Sequence, residues 1–321
     1  MSLTLTTELL SAANYGDLEE VKNCISKGAD INRADSRYGF TPLIWAAYNG
    51  HLEIIKYLVE LGADMNRYDN KWRMSALNLA SFQGYYEAAK YLISAGCELE
   101  TDNIWGATAL LSAACKGSFE VVKLLADNGA EIHGRAKYGS NGIVIATMCH
   151  YNKDTFNTVV SLEESLNNFR GACRNQNLLF SNPPPLEISP PSSSSSSSSC
   201  SSSSYHDGAE SSCSHFQIIQ LLAERGVDIN EPNHRGNTAL ITAANECHVE
   251  IAAYLLSIGA DPNIHNRNNE TALILASRHN HKEIVRLLIQ SRRCNLDFHS
   301  GLARRTIPPL VRKRPMEEEP I

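Results

Sequence analysis

A short motif returns along this 321-residue chain at a nearly fixed interval, and that periodicity limits the possible folds more than any other feature. A glycine followed by a small residue, and most often an acid, opens GADIN at Gly28, GADMN at Gly62, GCELE at Gly96, GAEIH at Gly129, GVDIN at Gly226 and GADPN at Gly259. Successive glycines lie 34, 34, 33, 97 and 33 residues apart, and the long interval equals one repeat plus about 64 further residues. A period of this size marks stacked supersecondary units, each contacting only its neighbours, so the chain grows along one axis without a single central core.

A second landmark keeps the same phase. TPLIWAA starts at Thr41, SALNLAS at Ser75, TALLSAA at Thr108, TALITAA at Thr238 and TALILAS at Thr271. Each is followed by an acid-led apolar segment such as HLEIIKYLV or SFEVVKLLA. Each unit therefore reads as a short helix, a tight turn, a second helix with apolar residues at helical spacing, and a hairpin-like loop. Thr or Ser before the first helix caps its free N–H groups. Paired small residues let neighbouring helices approach, and Gly50, Gly84 and Gly117 supply a left-handed turn between the two helices.

These motifs resemble the ankyrin repeat family, with its T-P-L-H-x-A-A, G-H and G-A-D-x-N pattern, over about residues 7–150 and 214–300. The resemblance implies an all-α solenoid of about seven helix-turn-helix repeats with projecting hairpin fingers. Repeats are assigned to 7–39, 40–73, 74–106, 107–139, 140–236 (split), 237–269 and 270–301. Several positions depart from the pattern. The family's His is replaced by Ile44, Asn78, Leu111, Val144, Ile241 and Ile274, which implies that its hydrogen bonds are lost throughout. Arg73 and Asn269 stand at a turn position usually held by Gly, and Cys247 replaces the inter-helix Gly of the sixth repeat.

The fifth repeat opens with NGIVIATMCH at 141–150, and its second helix is expected at HFQIIQLLAERG, residues 215–226. Between them, NPPPLEISPP and the Ser run from Ser192 to Ser204 cannot bury enough apolar surface to offset their ordering entropy. Disorder is expected over about 169–213 within an insertion at 151–213, while 154–166 is a second candidate for the outer helix. Ser189, ahead of a proline, is a phosphorylation candidate. Residues 302–321 read as a flexible tail whose basic cluster is partly offset by Glu317, Glu318 and Glu319.

The composition excludes several classes. A net charge of −6 argues against nucleic acid, and no run of eighteen apolar residues or basic leader appears. Nine cysteines, with no CxxC and no zinc-site spacing, read as free thiols of a reducing compartment: cytoplasmic, with the nucleus left open by the basic tail. No nucleotide-binding, hydrolase or metalloprotease motif occurs, so neither an enzyme nor a cofactor or metal site is expected.

Function is then expected at exposed, variable repeat positions. Tyr38, Trp72, Trp105 and Tyr138 occupy one position in four adjacent hairpins, and Tyr48 and Phe82 stand at the inner helix ends. Arg37, Lys71, Lys116 and Lys137 accompany them. Aromatic and cationic side chains in this pattern suit a protein interface. The expectation is a monomeric scaffold or adaptor that binds a protein partner, possessing neither a nucleic-acid nor a membrane surface. The alternative is a structural spacer using its convex face or termini, with the rings stacked between hairpins as stiffeners.

Overall fold

The structure, a computed structural model, describes residues 2–149 and 209–291, with side chains from 5–149 and 214–291. Expectations for Ser189, residues 154–166 and the tail at 302–321 lie outside the described residues. Among the described residues the elements are helices and two isolated antiparallel bridges, Tyr68 with Ser75 and His265 with Thr271, at the bases of hairpins.

The helices come in pairs. They are α1 (Ser2–Tyr15) with α2 (Leu18–Ser26), α3 (Pro42–Asn49) with α4 (Leu52–Glu60), and α5 (Ala76–Gln83) with α6 (Tyr86–Ser94). Next come α7 (Ala109–Lys116) with α8 (Phe119–Asp127) and α9 (Gly142–Cys149) with α10 (Ala209–Glu224). The last pairs are α11 (Ala239–Asn245) with α12 (Val249–Ser257), and α13 (Ala272–Arg278) with α14 (Lys282–Gln290). Odd-numbered helices stack side by side as an inner layer, and each even-numbered helix packs on its own inner helix. The core lies between the layers. Ala46, Ala80, Ala113, Ala146, Ala243 and Ala276 are fully buried and let the inner helices approach, while Ile54, Leu58, Leu92, Leu125, Leu222, Leu255 and Leu288 fill the space behind them.

Capping follows the sequence pattern at most starts. The side chains of Thr41, Ser75, Thr238 and Thr271 accept from the backbone N–H three residues on, at 3.2, 3.2, 3.3 and 3.4 Å. Thr108 makes no such bond, and in the fifth repeat Asn141 takes over the role, accepting from the Val144 N–H at 3.0 Å. Gly50, Gly84 and Gly117 are left-handed as expected. A Cβ at Gly117 would also lie 2.5 Å from the His215 ring, so this glycine lets the next repeat close in.

The G-A-D-x-N motif has a double purpose. Asp30, Asp64, Asp228 and Asp261 each accept from the N–H two residues later, closing an Asx turn. Asn32, Asn66 and Asn230 then accept the backbone N–H of Asp64, Glu98 and Asp261 in the following repeat, at 2.9, 2.9 and 2.8 Å. The loops are thus joined residue to residue along the stack.

Two expectations need correction. Hydrogen bonding at the family's His position is not lost throughout: Asn78 donates through Nδ2 to the carbonyls of Thr101 and Ala107, at 3.1 and 3.4 Å, bridging to the next hairpin. Its amide is long enough to reach the loop where Ile or Leu at the equivalent positions cannot hydrogen-bond. The outer helix of the fifth repeat also begins earlier than residue 215, at Ala209, so residues 209–213 are helical rather than disordered.

Helix α10 occupies the outer slot of the fifth repeat. His51 and His281 set the standard, each placing Nε2 3.1 Å from the carbonyl that ends the preceding repeat's inner helix, Asn14 and Asn245 respectively. His215 does the same to the Cys115 carbonyl at 3.1 Å. Asn141 Nδ2 donates to Asp228 O at 3.1 Å, and Arg135 pairs with Glu231 at 3.0 Å. The register across residues 150–208 is therefore that of an unbroken stack.

Candidate interaction surface

Five of the six fingers are organised by one inward-turned Asp or Asn, and the fourth carries Ala136 at that position, its N–H donating to Ser140 O. Asp35 accepts the N–H groups of Arg37, Tyr38 and Phe40, and Asp69 those of Lys71, Trp72 and Met74. Asn103, Asn233 and Asn266 do the same with two N–H groups each. Asp69 is fully buried, and burial pushes its carboxyl up from the usual range against the opposing pull of those three donors. With their Asp folded inward, the first two fingers present mainly their other side chains to solvent.

The fingers are tied by single backbone hydrogen bonds. Asn70 donates to Tyr38 O, Ile104 to Trp72 O, Lys137 to Trp105 O, His234 to Tyr138 O and Arg267 to Arg235 O, at 2.7–3.0 Å. This ladder places Tyr38, Trp72, Trp105 and Tyr138 at one structural position, but the four rings differ in environment. Tyr38 and Trp72 are buried and stacked, with centroids 5.8 Å apart and planes 9° from parallel. Phe40 lies beneath them, 6.1 Å from Tyr38, 6.2 Å from Trp72 and 4.7 Å from Trp45. Trp105 is half-buried, and Tyr138 is 67% exposed. Tyr48 and Phe82 are buried too. An exposed strip of rings is therefore not what the first fingers carry. Two large rings at adjacent fingers have more to gain from covering each other than from facing water, at about 25 cal/mol per Å² removed.

The cations lie outside this cluster. Arg37 sits 5.2 Å from the Tyr38 ring, Lys71 4.5 Å from the Trp72 ring, and both are exposed. Lys116 is half-buried over Phe82 at 5.3 Å, and Lys137 is exposed beside Tyr138. Arg235 and Arg267, which the sequence pattern did not single out as site residues, are exposed on the next two fingers. Five of six successive fingers thus end in an exposed cation, and the third carries Ile104 and Trp105 there instead. The order of charges was readable in the sequence, whereas the burial of Asp69 and half-burial of Asp35 were not, because they depend on the turn closing around them. Phe40 was missed as well. Its signal is an apolar residue immediately before the capping Thr, shared by Met74 in the second finger.

Models of the ankyrin repeat match along most of the folded chain. A three-copy model covers residues 206–299, a many-copy model covers 9–59 and 45–93, and a single-repeat model covers 105–137. The chain belongs to the ankyrin repeat family. No curated protein matches its sequence. Ankyrin repeats are generally protein–protein interaction modules, and proteins built from them are typically scaffolds without enzymatic activity.

Glu8, Glu20 and Cys24 bring possible metal-ligating atoms within 4.8 Å of one another. Burial, and then a hydrogen bond to Glu20, push the Cys24 thiol up to about 11, so it acts as a protonated donor inside this ankyrin array. Among the described residues no helix is long and apolar enough to cross a membrane.

Proposed function

We propose that this ankyrin array is an adaptor that holds an extended acidic segment of a protein partner along its finger tips and the adjoining inner-helix ends. The observation that carries this reading is the row of exposed cations, Arg37, Lys71, Lys137, Arg235 and Arg267, on fingers whose turn position holds an inward-turned Asp in the first two and the uncharged Ala136, Asn233 and Asn266 in the others. Packed helices lie about 8–10 Å apart, which corresponds to about three residues of an extended chain. Asp or Glu at every third position would therefore meet one cation per finger, with Tyr138 and Trp105 taking an apolar side chain between them. Because the ladder of backbone hydrogen bonds fixes the fingers beforehand, little ordering entropy opposes binding.

The test uses a fluorescent peptide with Glu at every third position, a neutral Gln counterpart, and a third peptide of equal charge clustered at one end. The spaced acidic peptide should bind best and weaken as salt rises. Arg37→Ala with Lys71→Ala should mainly slow association, and Tyr138→Ala should cost about 2 kcal/mol, in the hot-spot range. Equal binding of all three peptides, or unchanged affinity in these variants, would reject the reading. A spacer role is the second reading. The stacked, buried Tyr38 and Trp72 favour it, since they stiffen the first fingers.

A further inference from the structure

The repeat register sets one inner-helix position against a different one in the neighbouring repeat. The seventh residue after the capping position of one repeat meets the eighth of the next. Asn14 meets Asn49, whose Nδ2 donates to Asn14 Oδ1 at 3.0 Å, and Phe82 meets Lys116. The same register brings Cys115 of α7 to Cys149 of α9, with the sulfurs 2.9 Å apart. Both thiols are only partly buried, and neither is in a disulfide. A disulfide bond is about 2.05 Å long, so closure asks for a movement of under about 1 Å between two helices already in contact.

We propose that Cys115 and Cys149 form a dithiol modification site, which low-molecular-weight disulfides convert into an intramolecular disulfide clamping the inner helices of repeats four and five. The two cysteines have different parts. Cys115 is the attacking thiol, because the hydrogen bond from the Cys149 S–H, helped by the Lys116 charge, holds its thiol below the usual value against the effect of burial. Its thiolate attacks one sulfur of the small disulfide, a protein–small-molecule S–S bond forms, and one small thiolate leaves and takes up a proton. Cys149 then gives its proton to solvent, and its thiolate attacks the Cys115 sulfur. The mixed disulfide breaks, and the second small thiolate leaves. Two electrons pass from the protein dithiol to the small disulfide, which is reduced to two thiols. The clamp would fix the last residue of α9, at the point where the chain leaves the repeat toward residues 150–208.

Oxidised glutathione is the probe, and the full chain is its own control. Burial pushes the Cys24 and Cys97 thiols up to about 11, so both should react slowly. After timed exposure, alkylation and peptide mapping without reductant, a Cys115–Cys149 cross-linked peptide should form at least about tenfold faster than any adduct at Cys24 or Cys97. In Cys149→Ser the cross-link should be replaced by a lasting glutathione adduct on Cys115, because the resolving thiol is gone. The oxidised wild type should also melt at a higher temperature than the reduced form, and Cys149→Ser should show no such shift. The proposal is overturned if Cys115 and Cys149 react no faster than Cys24, or if Cys149 links mainly to another cysteine. The first readout needs no variant, so a folding defect in Cys149→Ser would not decide the question.

Discussion

Among the described residues, four other than glycine hold left-handed backbone: Arg73 at φ 55°, Cys247 at 65°, Asn269 at 57° and Asn280 at 59°. All four stand where the repeat pattern calls for Gly, and the two asparagines bear that conformation at least cost. Cys247 and Arg73 carry more strain. Arg73 reaches Asp102 at 3.4 Å and lies 5.0 Å from the Tyr68 ring. An exposed ion pair and a surface cation–π contact each contribute up to about 1 kcal/mol, which offsets a backbone cost of about 1–2 kcal/mol. Arg73→Gly should therefore change stability by less than about 0.5 kcal/mol in denaturant melts. A larger gain for Arg73→Gly would show that its two contacts contribute nothing. Glu270 offers a test in pH. The hydrogen bond from Asn266, then the Arg278 contacts, hold its carboxyl below the ordinary 4.5. The folded chain thus favours the carboxylate more than the unfolded chain does, giving stability that is complete above 4.5 and lost as pH falls through the lower folded value. Glu270→Gln should show a shallower loss of stability on acidification than wild type, read as the slope of unfolding free energy against pH.

Among the elements, the fingers show where sequence reasoning reached and where it stopped. The equivalence of Tyr38, Trp72, Trp105 and Tyr138 was legible because it rests on repeat phase, and the backbone ladder holds them at that position. Their environments were not legible, because burial depends on what the next finger offers. Trp72 supplies Tyr38 with a ring to stack on, whereas the finger after Tyr138 carries Arg235 at the matching position. Trp72→Ala should accordingly destabilise the array by about 3–5 kcal/mol, the usual cost of emptying a buried aromatic site. Tyr138→Ala should leave the melt within about 0.5 kcal/mol of wild type while weakening partner binding. Thermal or denaturant unfolding of the two purified variants separates these outcomes. Comparable losses of stability in both would mean that Tyr138 is held by the scaffold, and would remove it from the proposed interface.

At the scale of the whole molecule, the interval of 97 residues between Gly129 and Gly226 already implied that the pattern returns to phase after the insertion. Phase alone could not say which segment fills the outer slot, since 154–166 and 215–226 both carry apolar residues at helical spacing. Interatomic contacts decide it: His215 on the Cys115 carbonyl, Asn141 on the Asp228 carbonyl, and Arg225 on Asp127 each join segments about a hundred positions apart in sequence. In a repeat array each unit is stabilised by its neighbours, so cooperativity passes along the stack only while every interface is intact. Those joined contacts make repeats one to four and six to seven a single cooperative unit, with residues 150–208 connecting the two blocks in sequence. Closing a loop costs entropy that grows only logarithmically with length, at about 0.6 kcal/mol per doubling. Removing 170–207, just short of α10, should thus raise stability slightly or leave it unchanged. It should also preserve one sharp transition, with circular dichroism and tryptophan fluorescence coinciding. All three tryptophans, Trp45, Trp72 and Trp105, precede the insertion, so fluorescence reports the first block while circular dichroism reports both. Two separated transitions in the shortened chain would show that the removed residues supply a structural contact, and would break the link between the two blocks.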